Sequence, residues 1–329
     1  MSNEPIREAR PEGLIPRGAR ATATLSEGRA RSPSARRRPA KHLALAVLLL
    51  AAGSPLAVGA SILYNSIPSP LPPNVPSLGY QANQTSEFGD LIQFGGTNRV
   101  LKQVTLVMSD WAVASDYPAF PGSSGPTWNH PLTLNLYTVD NSGANPAPGV
   151  RIATRTQTFA IPWRPPADPT CPGGTAWRAG DGNCYSGLAF KVVFDFTGTT
   201  VPNQIIYGVA YNTNTWGYDP IGSPGPYESL NFGLADQPPS VGSNPFPDTA
   251  YWNTQTAANY ADGGAGGVGV FRRDTGWTPY SGAVSFETLD LPAVPTLSPL
   301  ALGLLAFALA LMAFLRLRSG ARASRRRSG

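Results

Sequence analysis

Strict alternation of apolar and polar residues is the feature that most restricts the fold of this 329-residue chain. In the stretch LTLNLY at 132–137, every second residue is leucine. A period of two places successive side chains on opposite faces, which is typical of a half-buried β-strand. Less regular versions recur at 100–109, 150–161, 188–196, 204–212, 228–234, 267–271 and 282–287. No amphipathic run between 80 and 290 is long enough to predict a helix.

These eight or more strands predict an all-β fold, a β-sandwich of jelly-roll-like topology over residues 80–292. Turn-forming residues separate the strands, as in the DNSG stretch at 140–143. A segment of this length can bury one sizeable core. Ahead of it, residues 61–79 include SIPSPLPPNVPS, and this proline content predicts an extended spacer.

The formal net charge of +5 conceals an uneven distribution of charge along the chain. Residues 1–60 hold ten basic and four acidic residues, and the tail after Ser298 holds six basic residues and no acidic one. The middle, 61–298, has nine basic and sixteen acidic residues, a net charge of −7. We therefore expect no nucleic-acid partner, because such binding depends on clustered Lys and Arg that displace counterions.

The first 60 residues predict an export signal with a signal helix. The basic cluster RRRPAK at 36–41 precedes the apolar run LALAVLLLAA at 43–52, which has about the length of a signal-peptide core, roughly 7–15 residues. Small residues then favour cleavage between Ala60 and Ser61. The expected partners are the secretion translocon and signal peptidase. An uncleaved anchor is the alternative, and RRRPAK fits a twin-arginine signal only in part.

The C-terminal end predicts one transmembrane helix. Residues 299–315 are seventeen residues without a charge, which span roughly 25 Å as a helix, the short limit for a bilayer core. Stop-transfer arginines follow at Arg316, Arg318, Arg322, Arg325, Arg326 and Arg327. The positive-inside rule then places this tail in the cytoplasm and the body in the periplasm or at the cell surface. A buried helix is the alternative, but this segment is apolar all round.

A short motif precedes the apolar segment, formed by Val294, Pro295, Thr296, Leu297 and Ser298. The order of motif, apolar helix and basic cluster over residues 293–329 resembles the IPTL-type C-terminal sorting signal, a relative of the PEP-type signals of bacterial surface proteins. The resemblance implies processing near Pro295 and Thr296 by an exosortase-like enzyme. If no enzyme acts there, the segment is a permanent anchor.

Cys171 and Cys184 are the only cysteines, and they flank a Gly-rich, turn-forming stretch. In an exported chain this spacing predicts a disulfide, which stabilises by roughly 3 kcal/mol on the loop-entropy model. With His130 as the only histidine outside the signal region, a four-ligand Cys/His zinc site cannot be assembled.

Structural calcium is the one metal for which the sequence offers candidate ligands, and no other cofactor is expected. Asp181, Asn183 and Asp262 offer oxygen ligands in loops, where Ca²⁺ sites of exported sandwiches are built. The D-x-D-x-D-G series of the EF-hand loop is absent. The glycines of GGAGGVGV at 263–270 lack the G-K-[ST] ending of a nucleotide loop and predict a tight turn feeding an edge strand.

Catalytic motifs are absent from the body. His130 could assist a serine nucleophile, but no G-x-S-x-G elbow accompanies it, and we expect an ordinary loop residue. A glycan hydrolase needs two carboxylates in one cleft, for which Glu87, Glu228 and Glu287 are candidates beside the aspartates. The sequence does not bring any two of them together. We therefore expect no enzyme, with an extracellular glycan hydrolase as the second alternative.

Aromatic residues are concentrated in the body, which holds all seven Trp and all twelve Tyr. Large rings can cap the ends of a sandwich whose loops pack poorly. They can also stack on sugars, and the candidates for stacking are Trp216, Tyr218, Tyr251 and Trp252. The sequence predicts an exported cell-surface or envelope protein with a structural or adhesive role. The first alternative is a carbohydrate-binding module with a polysaccharide partner.

Overall fold

A computed structural model describes residues 61–217 and 225–289, together with positions 303, 304, 306, 307, 309–311, 313 and 314. Fifteen strands are present in these residues, and short 3-10 turns join some of them. The strands are β1 (Ile62–Asn65), β2 (Ser77–Gly79), β3 (Thr85–Gln93), β4 (Leu101–Asp110), β5 (Thr127–Asp140), β6 (Ala147–Pro162), β7 (Trp177–Arg178), β8 (Cys184–Tyr185), β9 (Leu188–Asp195), β10 (Gln204–Ala210), β11 (Leu230–Ala235), β12 (Thr249–Thr254), β13 (Arg272–Thr275), β14 (Ser281–Gly282) and β15 (Val284–Thr288).

Two large antiparallel sheets contain most of these strands. The six-stranded sheet has the order β13-β12-β3-β10-β5-β6. The seven-stranded sheet follows the path β1-β15-β4-β11-β14, with β9 paired to β4 and β2 paired to β11. Along β4, β15 and β11 pair with successive stretches of the strand, and β9 also pairs with it. A separate two-stranded sheet is formed by β7 and β8.

Both large sheets contribute one face to a shared core. Phe232 and Phe286 project from the seven-stranded sheet, and Phe88 and Tyr207 project from the six-stranded sheet. The ring centroids of Phe88 and Phe232 lie 6.1 Å apart, and those of Tyr207 and Phe286 lie 5.9 Å apart. The two layers therefore form an all-β sandwich, as the alternating pattern predicts.

The predicted strands are present with one exception. The leucines at 132, 134 and 136 all lie in the core, because β5 continues their period of two without interruption. The stretch GVGVF at 267–271 is not a strand, and β13 begins after it. Gly267 and Gly269 have φ values of 108° and 69°, a left-handed conformation that breaks an extended chain.

The predicted spacer at 61–79 is part of the folded body. Its first residues form β1, which pairs with β15, and its last residues form β2, which pairs with β11. The intervening prolines leave room for Ile67 and Val75 to be buried against Val107. Proline content alone indicated an extended chain, but it could not indicate whether that chain packs against a sheet.

The described positions between 303 and 314 are α-helical and exposed. Among the residues that the structure describes, no helix is both long enough and apolar enough to cross a membrane. The predicted signal helix at 43–52, the sorting motif at 294–298 and the stop-transfer arginines lie outside the described residues.

Candidate functional site

The two ends of the folded body meet at one hydrogen-bonded pair. The Ser61 amide donates to Thr288 Oγ1 at 3.1 Å, and the Thr288 amide donates to the Ser61 carbonyl oxygen at 2.9 Å. One residue further, the Leu289 amide donates to the carbonyl oxygen of Val100 at 2.9 Å. The first residue after the predicted cleavage site is therefore hydrogen-bonded to β15 of the seven-stranded sheet, and β1 begins at the next residue. Ala60 lies outside the described residues.

The predicted disulfide between Cys171 and Cys184 is confirmed. It closes a small lobe between β6 and β9 that contains the β7–β8 ladder. Arg178 forms an ion pair with Asp168 at 2.9 Å, and the buried Trp177 donates from Nε1 to the carbonyl oxygen of Gly187 at 2.8 Å. The lobe is therefore tied together by one covalent bond, one ion pair and one buried ring.

The oxygen atoms proposed for calcium are engaged within their own loops. Asp181 accepts hydrogen bonds from the Asn183 amide and from the Tyr185 hydroxyl, which holds the pKa of this carboxyl below its usual range. Asp262 accepts a hydrogen bond from Arg272 at 2.8 Å, with the same effect on its pKa. Within the described ranges, no group of three or more His, Cys, Asp or Glu residues could hold a metal ion. Calcium stays a prediction.

Three of the four proposed stacking rings lie in the described residues, and these three do not form one surface. Tyr251 and Trp252 are both buried, and as neighbours on β12 they project from opposite faces of the sheet. Trp252 lies in the core between the sheets, and Tyr251 lies in a smaller cluster with Leu91. Trp216 is half-buried, and Tyr218 lies outside the described residues.

Every Trp and Tyr of the described ranges is buried or half-buried. The rings divide into separate groups. One surrounds Trp128, whose centroid lies 5.9 Å from those of both Trp163 and Tyr227. Another joins Trp252 to Trp277, at 5.0 Å. Mutual packing of this kind favours the capping interpretation of the aromatic surplus.

His130 is not a loop residue as predicted but a buried residue of β5. Its side chain belongs to the group around Trp128, and its Nε2 donates to the carbonyl oxygen of Asn212 at 2.9 Å. Burial lowers the pKa of the imidazole to about 4. The ring is therefore neutral at physiological pH and packs among aromatic residues.

Four carboxyl groups of the described residues are buried, and the sequence pattern did not reveal them as such. Glu87 accepts hydrogen bonds from Asn135 Nδ2 at 2.8 Å and from the Tyr137 hydroxyl at 2.9 Å. Asp110 accepts one from Trp128 Nε1 at 3.2 Å, and burial raises its pKa to about 7. Asp90 lies on β3 and Asp274 on β13. Sequence patterns assign carboxylates to exposed positions, so local alternation gave no signal for their burial.

Of the glutamates suggested for a hydrolase, Glu87 and Glu287 lie on different sheets, and Glu228 lies in the 3-10 turn Pro226–Ser229 before β11. On β15, Phe286 packs in the core, so its neighbour Glu287 projects from the outer face of the seven-stranded sheet. On β3, Phe88 packs in the same core, so Glu87 projects from the outer face of the six-stranded sheet. These two carboxylates lie on opposite sides of the sandwich and do not share a cleft.

The surface of the described residues includes two clefts of different size. The smaller, of about 280 Å³, lies beside Phe120 and Trp128. The larger, of about 550 Å³, is lined by Gln93, Thr138, Val139, Asn141, Pro202, Asn203 and Gln204. These residues come from the ends of β3, β5 and β10 and from the chain just beyond them. The sequence offered no signal for this cleft, because its residues converge only when the three strands pair.

The chain matches no protein-family model, no curated protein and no solved structure.

Proposed function

We propose that this chain is an exported surface or envelope protein, in which a jelly-roll-like sandwich has a structural or adhesive role without catalysis. The disulfide supports export, because such bonds persist in oxidising compartments and are rare in the cytosol. The mutual packing of the aromatic rings and the separation of Glu87 from Glu287 agree with a domain that has no reaction centre.

The observation that best supports this proposal is the position of the Ser61–Thr288 pair. Ser61, the residue that signal peptidase would leave as the new N-terminus, is hydrogen-bonded to β15, and β1 begins one residue later. The last described residue of the body, Leu289, precedes the first residue of the motif, Val294, by five positions. The predicted processing points therefore flank the folded body on both sides, and their removal would leave every described strand intact.

Membrane delivery in this proposal uses both ends of the chain. The apolar run at 43–52 would direct the body to the translocon, and the segment at 299–315 would hold it at the cytoplasmic membrane with the arginines inside. An exosortase-like enzyme would then act near Pro295 and Thr296. Permanent anchoring by the same segment is the alternative outcome.

The test is intact-mass measurement and terminal peptide mapping of the protein recovered from its native host. We expect a chain that starts at Ser61 and ends near Pro295 with an added mass. The variant Pro295→Ala/Thr296→Ala should retain residues 299–329 but still start at Ser61. The matched variant Pro299→Ala, which alters a proline just beyond the motif, should be processed like the wild type.

Each part of the proposal has its own contradicting result. A wild-type chain that retains residues 299–329 would replace sorting by a permanent anchor. A chain that retains the run at 43–52 would contradict removal of the signal. Free thiols at Cys171 and Cys184 in the freshly recovered protein would contradict export to an oxidising compartment.

A further inference from the structure

The larger cleft is built on a rigid part of the six-stranded sheet. Gln93, the last residue of β3, stands opposite Gln204, the first residue of β10. The backbone of Gln93 also exchanges hydrogen bonds with Ser243 at 2.9 and 3.0 Å. Side chains on paired strand ends hold their positions better than side chains on free loops, which is what a binding surface requires.

The side-chain amides that line this cleft make only some of their possible hydrogen bonds within the protein. Gln204 Nε2 donates to Gln93 Oε1 at 2.9 Å, which leaves the amide nitrogen of Gln93 and the amide oxygen of Gln204 toward solvent. Asn203 Oδ1 accepts a hydrogen bond from Arg99 Nε at 2.9 Å, which leaves the amide nitrogen of Asn203 for a ligand. Asn141 is exposed, and its side chain forms no hydrogen bond within the described ranges. The lining therefore presents donors and acceptors together.

No ionisable side chain lines the cleft. Arg99 adjoins the cleft through its hydrogen bond to Asn203, and its remaining nitrogens donate to the carbonyl oxygens of Gly95, Asn98 and Gly96. Asp140 accepts its hydrogen bond from the Ser142 amide in the adjacent turn. A lining of neutral amides favours a neutral ligand over phosphates, carboxylates and metal ions, whose strongest contacts are with charged groups.

A neutral sugar chain matches the chemistry of the cleft lining. Each sugar hydroxyl is both a donor and an acceptor and can bridge amide nitrogen and amide oxygen atoms. Pro202 and Val139 add apolar surface for the CH faces of a sugar ring. The volume of about 550 Å³ lies within the range of small-molecule sites, about 300–1,000 Å³.

We propose that the cleft lined by Gln93, Asn141, Asn203 and Gln204 binds a neutral oligosaccharide. This site differs from the aromatic positions that the sequence suggested, and it deepens the proposed function by assigning the adhesive contact to a glycan. It rests on the proposed function only in that an exported body meets extracellular glycans. Failure of sugar binding would leave the processing results unaffected, and failure of processing would leave a measured sugar affinity unaffected.

The experiment is isothermal titration of the full-length protein, in a detergent without a sugar headgroup, with neutral hexasaccharides of glucose, mannose or N-acetylglucosamine. An acidic hexamer of galacturonate is the charged control. We expect binding of at least one neutral hexamer and a loss of at least about tenfold in Gln93→Ala/Gln204→Ala, since each lost hydrogen bond weakens binding about fivefold. Gln237→Ala, an exposed glutamine outside the cleft, should bind like the wild type.

The proposal is overturned if no neutral hexamer binds at millimolar concentration, if the double variant retains wild-type affinity, or if the galacturonate hexamer binds as tightly. It is also overturned if Trp216→Ala abolishes binding and the double variant does not, because the stacking interpretation would then apply. Both altered glutamines lie at the surface, and an unchanged thermal midpoint will separate lost contacts from lost folding.

Discussion

Tyr207 and Asp90 stand directly opposite each other on β10 and β3, and both side chains are buried between the two sheets. The Asp90 carboxyl accepts hydrogen bonds from Asn244 Nδ2 at 2.6 Å and from the Leu91 amide at 2.7 Å. No ion pair reaches it within the described ranges. Burial therefore raises the pKa of Asp90 well above its usual range.

This carboxyl should make the protein less stable as pH rises. The folded state binds the proton of Asp90 more tightly than an unfolded chain, which loses it near pH 3.9. The free energy of unfolding therefore falls between that pH and the raised pKa of the folded state, by up to about 1.4 kcal/mol per pH unit. Asp90→Asn imitates the protonated form and should reduce this slope. Urea unfolding at pH 5, 7 and 8.5 measures it.

Asp110 provides the matched control for this prediction. Its pKa is raised only to about 7, so its effect on stability is complete near that pH. Asp110→Asn should therefore remove only its own share of the decline, which lies below pH 7, and leave the share that comes from Asp90. If Asp90→Asn loses stability from pH 5 to 8.5 as steeply as the wild type, the pKa of Asp90 is not raised by burial.

Gly89 should not tolerate a side chain. A methyl group there would overlap the carbonyl oxygen of Tyr207 on the neighbouring strand, within the centre of the six-stranded sheet. We expect Gly89→Ala to lose about 3 kcal/mol or more, since overpacking displaces backbone that the sheet holds in place. Gly180→Ala, where no atom lies within 4 Å, should change stability by less than about 1 kcal/mol. Equal effects in thermal unfolding would contradict this packing.

Loss of the disulfide should open its lobe without unfolding the sandwich. Cys171→Ser/Cys184→Ser removes the covalent closure of the lobe but none of the contacts in the main core. We expect faster amide exchange around Trp177, unchanged protection in β4 and β10, and a global loss below about 3 kcal/mol. Exchange measured by mass spectrometry distinguishes the regions, and loss of protection in β10 would show that the lobe supports the core.

The hydroxyl of Thr288 should help to hold β1 in place. It accepts from the Ser61 amide and donates to the Ser61 carbonyl oxygen at 3.2 Å, which valine cannot do. Thr288→Val should cost about 1 kcal/mol and speed amide exchange in β1. Thr278→Val, which loses a 3.4 Å contact with the Pro247 carbonyl oxygen and a hydrogen bond to Asp248 in an exposed loop far from β1, is the control. Equal exchange rates in β1 for both variants would contradict this role.

Local periodicity predicted strands well where one face alone is apolar. The leucines of β5 are such a case. Local periodicity missed β3. Glu87 and Asp90 are buried on opposite faces of that strand, so on both faces a polar residue occupies a position where simple alternation predicts an apolar one. It also extended a strand through 267–271, where two left-handed glycines interrupt the chain.

The sequence by itself determined the all-β class, the disulfide between Cys171 and Cys184 and the core side of β5, because each depends on residue type and short spacing. The tertiary structure alone decided that Ser61 meets Thr288, that Tyr251 and Trp252 are buried, and that Gln93 and Gln204 line one cleft with Asn141. Those relationships depend on strand register between distant segments. Register is set by the packing of the whole sheet, and no local pattern encodes it.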